Sequence, residues 1–166
     1  MNNEEIRDQY RPSVTKVLFV GESPPESGNF FYRGDSLTTH VQMAFERALE
    51  VKFKSHEPFL QCFKALGCFL DDLSHVPVNG FPPPERESLL KQSVPSFCER
   101  LKSLNPKAII VSPMKIKPHI EEATRRISPT AIPQYLPYPA YNKENCSRFV
   151  NKLSEILIQL RRNGIL

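Results

Sequence analysis

The chain has 166 residues, of which 40% are apolar and 24% are charged, and its net charge at pH 7 is +4. A chain of this length buries roughly 70% of its unfolded surface, so we expect a single domain over 1–166. The composition excludes a disordered or fibrous protein, and no apolar run approaches the roughly 18 residues of a membrane-spanning helix. The mild positive charge permits a nucleic-acid partner without requiring one.

Four cysteines in a chain of this size do not predict a disulfide scaffold. The first residues have no basic start followed by an apolar run, so no secretory signal is expected. We therefore expect free thiols and a monomeric, cytoplasmic protein.

Apolar runs and helical spacing alternate along the chain. In chain order they predict a frayed or helical start (2–13), a strand (16–20), two helices (36–50 and 57–66), a strand (68–73), a helix (85–104), a strand (107–111), a helix (114–127), a short strand (131–136) and a closing helix (143–162). Asp35 or Ser36 is expected to cap the first long helix, and Pro95 to kink or divide the helix over 85–104.

This alternation predicts an α/β fold, a three-layer αβα sandwich with a small, mostly parallel four-stranded sheet. In such folds, ligand sites collect at the carboxyl ends of the strands. The loops after Val20, Leu73 and Leu136 are therefore the expected places for a site.

The loop after the first strand carries the residues best suited to chemistry. Glu22 follows the strand and Gly21 directly, and two prolines stiffen the backbone behind it. A carboxylate mounted in this way can orient a water molecule or face a developing positive charge. The aromatic residues at 30–32 offer faces for stacking a flat ring. The alternative is a proline-stiffened turn whose aromatic rings belong to the core.

Four segments together resemble the uracil-DNA glycosylase superfamily. Residues 17–25 (Val-Leu-Phe-Val-Gly-Glu-Ser-Pro-Pro) and 28–32 (Gly-Asn-Phe-Phe-Tyr) are similar to the first motif of its family 4, Gly-Glu-Ala-Pro-Gly followed by Gly-x-Pro-Phe-Val-Gly. Segments 68–75, 107–112 and 136–139 stand in the places of its second strand, third strand and final His-Pro-Ser-Pro motif. The resemblance spans about residues 15–160. It implies that family's fold and hydrolysis of the bond between a base and its sugar in DNA.

The resemblance also implies roles for single residues. Glu22 lies at the position that orients the attacking water or stabilises the cationic sugar. Phe31, or Phe30 in a register one earlier, lies where an aromatic ring stacks on the extruded base. The backbone of Gly21 and Ser23 would line the base pocket.

The final loop would meet the DNA backbone and minor groove. Its contacts would be Leu136, Pro137 and Tyr138, with Lys143 and Arg148 nearby to bind phosphates. A second basic group follows the third strand, at Lys115, Lys117, Arg125 and Arg126. For each basic residue, the alternative is an ordinary solvated helix face. The proline-spaced tyrosine rings of this loop suit either wedging a duplex step or packing on a protein.

The chain departs from the family at the residues that read uracil. Asp72 replaces the second-strand Asn, and a carboxylate only accepts hydrogen bonds, which suits a base with an exocyclic amine. Leu136 replaces the His that bonds the base as charge develops there. Tyr138 replaces the following Ser, and Pro25 replaces the last Gly of the first motif. The scaffold is kept while the base-reading groups differ, so the target base stays open.

The family's iron–sulfur cluster is not expected here. No Cys precedes residue 62, and the spacing of Cys62 and Cys68 fits neither a cluster nor a zinc site, so we expect no metal and no cofactor. Strand alternation points Asp71 and Asp72 to opposite faces. They are not expected to act as a carboxylate pair, and one of them could cap the strand end or pair with Lys or Arg. His75 either supplies the missing imidazole or makes an ordinary hydrogen bond.

The leading hypothesis is a DNA glycosylase in which a base stacks on Phe30 or Phe31 while Glu22 guides water to the sugar C1′. The alternative is a non-catalytic module that binds nucleic acid, a nucleotide or a protein. An enzyme needs Glu22 to face an open cavity beside an aromatic ring, whereas a binding relic fills that cavity with Leu136 or Tyr138. A hydrolase of free nucleosides would have a closed pocket without a basic rim. A serine hydrolase is disfavoured because the Gly-x-Ser-x-Gly elbow is missing.

Overall fold

Four parallel strands form the centre of the molecule. In the computed structural model, which describes residues 1–166, they are β1 (Val17–Gly21), β2 (Cys68–Asp72), β3 (Ala108–Val111) and β4 (Pro133–Tyr135). Their order in the sheet is β2-β1-β3-β4, and each neighbouring pair is parallel. The first three strands are buried along their whole length. Burial on both faces explains why they are unbroken apolar runs rather than alternating patterns.

Six helices accompany the sheet. They are α1 (Asn3–Gln9), α2 (Ser36–Leu49), α3 (His56–Ala65), α4 (Pro83–Leu104), α5 (Lys117–Ile127) and α6 (Lys143–Arg162). α2 packs against α6, and α4 packs against α5. The predicted α/β fold, a three-layer αβα sandwich with a four-stranded sheet, is confirmed, and the sheet is parallel throughout. None of the helices combines the length and apolar composition that crossing a bilayer requires.

Side-chain caps determine where three helices begin. Asn2 and Asp35 each form a capping box, with Glu5 and Thr38 respectively, and Asn142 caps α6. These caps bond amide groups that have no partner inside the helix. Of the two predicted caps, Asp35 caps the helix and Ser36 is its first residue. The polar start of the chain is a short helix.

The structure differs in detail from two of the predicted helices. Pro95 does not divide α4, which is continuous from Pro83 to Leu104. The missing amide bond is tolerated because the turns on both sides of it bury apolar side chains, which are Leu90, Val94, Phe97, Cys98 and Leu101. The segment predicted as one helix over 114–127 begins with a 3-10 turn (Met114–Ile116) before α5. Pro118 lies in the first turn of α5, where its missing amide has no helical partner.

A cluster of phenylalanines joins the sheet to α2 and α3. The ring centroid of Phe63 lies 5.2 Å from that of Phe19, 5.3 Å from Phe31, 5.6 Å from Phe45 and 5.8 Å from Phe59. All five side chains are buried. Because Phe31 belongs to the loop after β1, the cluster also supports that loop from below.

Tyr32 completes the outer edge of β2. Its hydroxyl accepts a hydrogen bond from Leu70 N at 2.7 Å and donates one to Leu70 O at 3.0 Å. These are the groups that an edge strand leaves unpaired. Burial raises the pKa of Tyr32 well above its ordinary value, so the hydroxyl keeps the proton that it donates. The aromatic segment at 30–32 is thereby fixed to the sheet.

Replacing the central ring of the phenylalanine cluster is expected to destabilise the fold. Phe63→Ala should lower the free energy of unfolding by about 3–5 kcal/mol, because it leaves a cavity among four rings. Urea unfolding measures this loss. Phe81 is the matched control, since its side chain is 43% exposed, and Phe81→Ala should stay within about 0.5 kcal/mol of the wild type. Equal losses in the two variants would contradict the packing described.

Candidate functional site

A cavity of about 480 Å³ opens at the carboxyl ends of the strands. It is lined by residues 21–25 after β1, Asp72 at the end of β2, residues 112–115 after β3, and Pro137 and Tyr138 after β4. β1 is central, with β2 on one side and β3 on the other, so the cavity lies where the order of the strands reverses. Open α/β sheets bind ligands at this point, and the volume suits a small ligand.

Backbone hydrogen bonds hold the loop after β1 against β2. Leu73 N donates to Gly21 O at 2.8 Å, and Ser74 N donates to Glu22 O at 2.9 Å. These bonds continue the strand pairing beyond the ends of β1 and β2. The side chain of Glu22 is therefore carried by a rigid backbone at the edge of the sheet.

Two cations flank the carboxylate of Glu22. Arg86 of α4 donates a hydrogen bond to Oε1, and Lys115 Nζ lies 3.1 Å from Oε2. The side chain of Glu22 is 9% exposed, that of Arg86 28% and that of Lys115 53%. All three residues line the cavity. The most buried charge of the group is thus negative, with positive charge on both sides of it.

A second ion pair ties the cavity to the first helix. Arg7 of α1 is 0% exposed, and its Nη2 donates to Asp72 Oδ2 at 2.6 Å. Its Nε lies 3.9 Å from Asp71 Oδ1, and its Nη1 donates to Glu4. Burial opposes the charge of Arg7, yet the carboxylates of Asp72, Asp71 and Glu4 raise its pKa above the ordinary value. The guanidinium is therefore a permanent positive charge inside the protein.

Asp72 presents a second oxygen to the cavity. Its Oδ2 is bonded to Arg7, while Oδ1 accepts no hydrogen bond. A Cβ atom on Gly21 would lie 2.3 Å from Oδ1, so only glycine at 21 lets this carboxyl group lie against the backbone. Burial raises the pKa of Asp72 to about 7, against the opposing charge of Arg7. Near neutral pH the group therefore changes between accepting and donating a hydrogen bond.

Asp71 has different main partners and lies outside the cavity lining. It bonds His75 Nε2 and Arg100 Nε, each at 2.7 Å. Burial alone would raise the pKa of Asp71, but the hydrogen bond with His75 and the charge of Arg100 lower it to about 2. His75 Nδ1 also lies 3.2 Å from Glu4. His75 does not line the cavity, so the ordinary-bond alternative holds and it supplies no imidazole there.

The aromatic residues at 30–32 serve both the core and the cavity wall. Phe30 and Phe31 are almost fully buried, and both line the cavity. Their rings pack edge-on against Tyr32, at centroid distances of 5.9 and 5.1 Å. Tyr138 and Tyr141 also line the cavity, and Tyr141 is 93% exposed at its mouth. The aromatic surface that a ligand can reach is therefore mainly that of Tyr138 and Tyr141, because Phe30 and Phe31 are each 2% exposed.

The side chain of Leu136 lies in the core and is 1% exposed. Its amide continues the strand pairing, donating to Val111 O at 2.8 Å, and this bond turns the side chain inward. The predicted DNA contact at Leu136 stays a prediction, and only the backbone of this residue is placed to make it. Lys143 and Arg148 are exposed on the first turns of α6, outside the cavity lining. Arg148 Nη2 lies 2.5 Å from Glu144 Oε1 of the same helix.

The remaining predicted residues lie together. Gly21, Ser23, Pro137 and Tyr138 all line the cavity, and Ser23 Oγ accepts a hydrogen bond from Val78 N at 3.3 Å. The structure thus brings the predicted base-binding residues into one cavity with Glu22.

Sequence analysis did not single out Arg7 or Arg86. Arg7 lies in a polar segment that reads as a frayed start, and Arg86 lies in the first turn of a long helix. The one available signal was that buried carboxylates at 22 and 72 need counter-charges. That signal does not say which of the many basic residues supplies them.

The cysteines do not form a metal site. Cys68 and Cys98 are buried, Cys62 and Cys146 are partly buried, and all four are free thiols. No group of three or more His, Cys, Asp or Glu side chains is arranged to hold a metal ion. The residues therefore do not fit the iron–sulfur cluster that the family resemblance would bring.

Comparison with known proteins adds no family assignment. A scan against protein-family models finds no match, and a search of curated proteins finds none either. The chemistry of this cavity is therefore inferred from its own residues and geometry.

Removing the buried guanidinium is expected to destabilise the protein in a pH-dependent way. Arg7→Met should lower the free energy of unfolding by about 3–5 kcal/mol at pH 9, because Asp72 loses its counter-charge. Without Arg7 the pKa of Asp72 rises further above about 7. A carboxyl group with a raised pKa loses stability as the pH rises from its unfolded to its folded pKa, and the loss is complete above the folded value. The two proteins therefore diverge only above about pH 7, where wild-type Asp72 has ionised and the Asp72 of the variant has not. The loss should be smaller at pH 6, where Asp72 is protonated in both proteins. Urea unfolding at the two pH values measures the difference.

Arg11→Met is the matched control. Arg11 lies just after α1, its side chain is 42% exposed, and it pairs with Asp8 at 2.9 Å. Its removal should cost less than about 1 kcal/mol at either pH. A loss for Arg7→Met that is equally small, or that does not change with pH, would contradict the buried pair.

Proposed function

We propose that the protein is a DNA N-glycosylase that hydrolyses the bond between the sugar and a base flipped into the cavity. The observation that carries this proposal is the Glu22 carboxylate, mounted on a rigid strand end in the wall of an open cavity that Phe30 and Phe31 also line. The glycosidic bond of a stacked base is out of an enzyme's reach, so the target nucleotide has to leave the helix. A cavity of about 480 Å³ has room for such a nucleotide.

In this reaction Glu22 acts on the sugar. As the bond between C1′ and the base nitrogen breaks, its electron pair stays with the base and positive charge develops on the sugar ring. A carboxylate beside C1′ stabilises that charge and orients the water that adds to C1′. The rigid backbone at Glu22 supplies the positioning that this role needs.

The base would be held by the other side of the cavity. Phe30 and Phe31 form part of the cavity wall, and the Oδ1 atom of Asp72 has no hydrogen bond within the protein. When ionised, Asp72 accepts a hydrogen bond from an exocyclic amine, and when protonated it donates one to a carbonyl oxygen. Because burial raises the pKa of Asp72 to about 7, base preference is expected to shift between pH 6 and pH 8.5.

Two features favour an enzyme acting on DNA over the alternatives. Tyr138 lines the cavity without filling it, and Leu136 is buried in the core, so the cavity is not blocked as a binding relic would be. Lys115, whose side chain is 53% exposed, places a positive charge at its rim. A hydrolase of free nucleosides has no need for this charge, whereas an enzyme that binds a flipped nucleotide can use it to bind a flanking phosphate group.

A non-catalytic nucleotide-binding module is the second candidate. It is favoured by the fact that two of the three carboxylates that line the cavity are already paired with cations, Glu22 with Arg86 and Lys115, and Asp72 with Arg7. Such a module would use the same aromatic walls for a base and Lys115 for a phosphate group.

A base-release assay distinguishes the two candidates. Oligonucleotides that carry uracil, mismatched thymine, hypoxanthine, xanthine or ethenocytosine, single- and double-stranded, are incubated with the protein at pH 6 and pH 8.5. We expect release of at least one base. Glu22→Gln should slow it by about 10²–10³-fold, as removal of one charge-stabilising group typically does.

Glu26→Gln is the matched control, because Glu26 lies in the same loop, is exposed and does not line the cavity. Its release rate should equal that of the wild type. No release from any substrate by the folded protein, together with measurable nucleotide binding, would replace the glycosylase by the binding module.

A further inference from the structure

The cavity contains a positively charged group that the proposed reaction does not yet use. The guanidinium of Arg86 lines the cavity next to Glu22, and its Nε is buried without a hydrogen-bond partner. A ligand cannot reach this buried atom, but the side chain of Arg86 is 28% exposed and only its Nη2 bonds Glu22. The exposed part of the guanidinium can therefore donate to an acceptor on a ligand in the cavity.

Breaking a glycosidic bond separates charge between two bonded atoms. The sugar carbon becomes positive, and the base nitrogen keeps the electron pair and becomes negative. Glu22 stabilises only the sugar side, and negative charge on the base needs a cation or a hydrogen-bond donor. No histidine lines the cavity, and its only cations are Arg86 and Lys115.

We propose that Arg86 is a catalytic residue that stabilises the negative charge on the departing base. This inference rests on the proposed glycosylase function. With a nucleotide bound, Glu22 faces C1′ while Arg86 donates a hydrogen bond to a ring atom of the base that carries the delocalised electron pair. Water then forms the new bond to C1′ and releases its proton to solvent, from which the base anion takes up a proton.

The ion pair of the free protein already has the required charge pattern. Arg86 and Glu22 are in hydrogen-bond contact. C1′ and the base nitrogen are bonded to each other, so the two side chains can face these two atoms at the same time. A positive group facing the base and a negative group facing the sugar are opposite in sign to the charges that develop there. Such preorganised groups need little rearrangement during the reaction.

Arg86 suits this role better than Lys115. The side chain of Arg86 is 28% exposed and that of Lys115 is 53% exposed, so solvent screens Arg86 less. A guanidinium has five N–H donors in a fixed plane, so it can bond Glu22 and the base together. Lys115, at the rim, is placed for a phosphate group.

The dependence of rate on the leaving group tests this inference. The substrates are oligonucleotides that carry the base released fastest by the wild type, and its fluorinated and brominated derivatives, which leave as more stable anions. Single-turnover rates are measured for the wild type, Arg86→Gln, Arg86→Lys and Lys115→Gln. Arg86→Gln should lose about a hundredfold on the unsubstituted base and less than about tenfold on the brominated one. Arg86→Lys, which keeps the charge, should regain part of the loss.

Arg47→Gln is the matched control. Arg47 lies on α2, is exposed, and donates to Asn151 rather than lining the cavity, so its rates should match the wild type for every substrate. Thermal unfolding verifies that each variant is folded. If Arg86→Gln does not fold, Arg86→Lys tests the inference instead, because it too should lose more rate on the unsubstituted base than on the brominated one.

Each other outcome has a definite meaning. A rate loss that is equal across the series would overturn the inference and leave Glu22 as the reacting carboxylate, since Arg86 would then act only by holding it. A stronger leaving-group dependence in Lys115→Gln than in Arg86→Gln would also overturn it and give the role to Lys115. No base release by the wild type would instead reject the proposed function and this inference together.

Discussion

The buried ion pair between Arg7 and Asp72 connects the fold of this protein to its cavity. Arg7 has no exposed surface and comes from the first helix, and Asp72 ends the second strand. Because leaving either charge buried alone costs several kcal/mol, α1 and β2 are held together. The same contact determines where the Asp72 carboxyl group lies, and this position in turn requires glycine at 21. The segment before the first strand is therefore part of the site.

The cavity combines paired charged side chains with a frame of apolar side chains that supports them. Phe31 belongs both to the phenylalanine cluster and to the cavity wall, so packing in the core and the shape of the cavity depend on each other. On that frame, Asp72 is paired with Arg7 and Glu22 with Arg86 and Lys115. These pairs keep the carboxylates in defined positions before a ligand enters, which is the property that a charge-separating reaction uses.

The sequence predicts the elements better than it predicts the contacts between them. The strand at β1 and the cap at Asp35 follow from an apolar run and a local side-chain bond, and both are found. Glu22 could be singled out because it directly follows a buried strand. Arg7 could not, because its burial depends on a partner 65 positions away. The burial of Leu136 could not be predicted for a related reason, since the backbone bond to β3 that turns it inward is a tertiary contact.

The most direct measurement is a crystal structure of the Glu22→Gln variant bound to an oligonucleotide that carries the base released by the wild type. We expect this nucleotide to lie out of the base stack, with its base against Phe30 or Phe31 and within hydrogen-bond distance of Arg86. A water molecule bonded to the side chain of residue 22 should lie about 3–3.5 Å from C1′, the separation of atoms poised to react. A base that stays stacked, or DNA that binds on another face and leaves the cavity open, would contradict the proposed reaction.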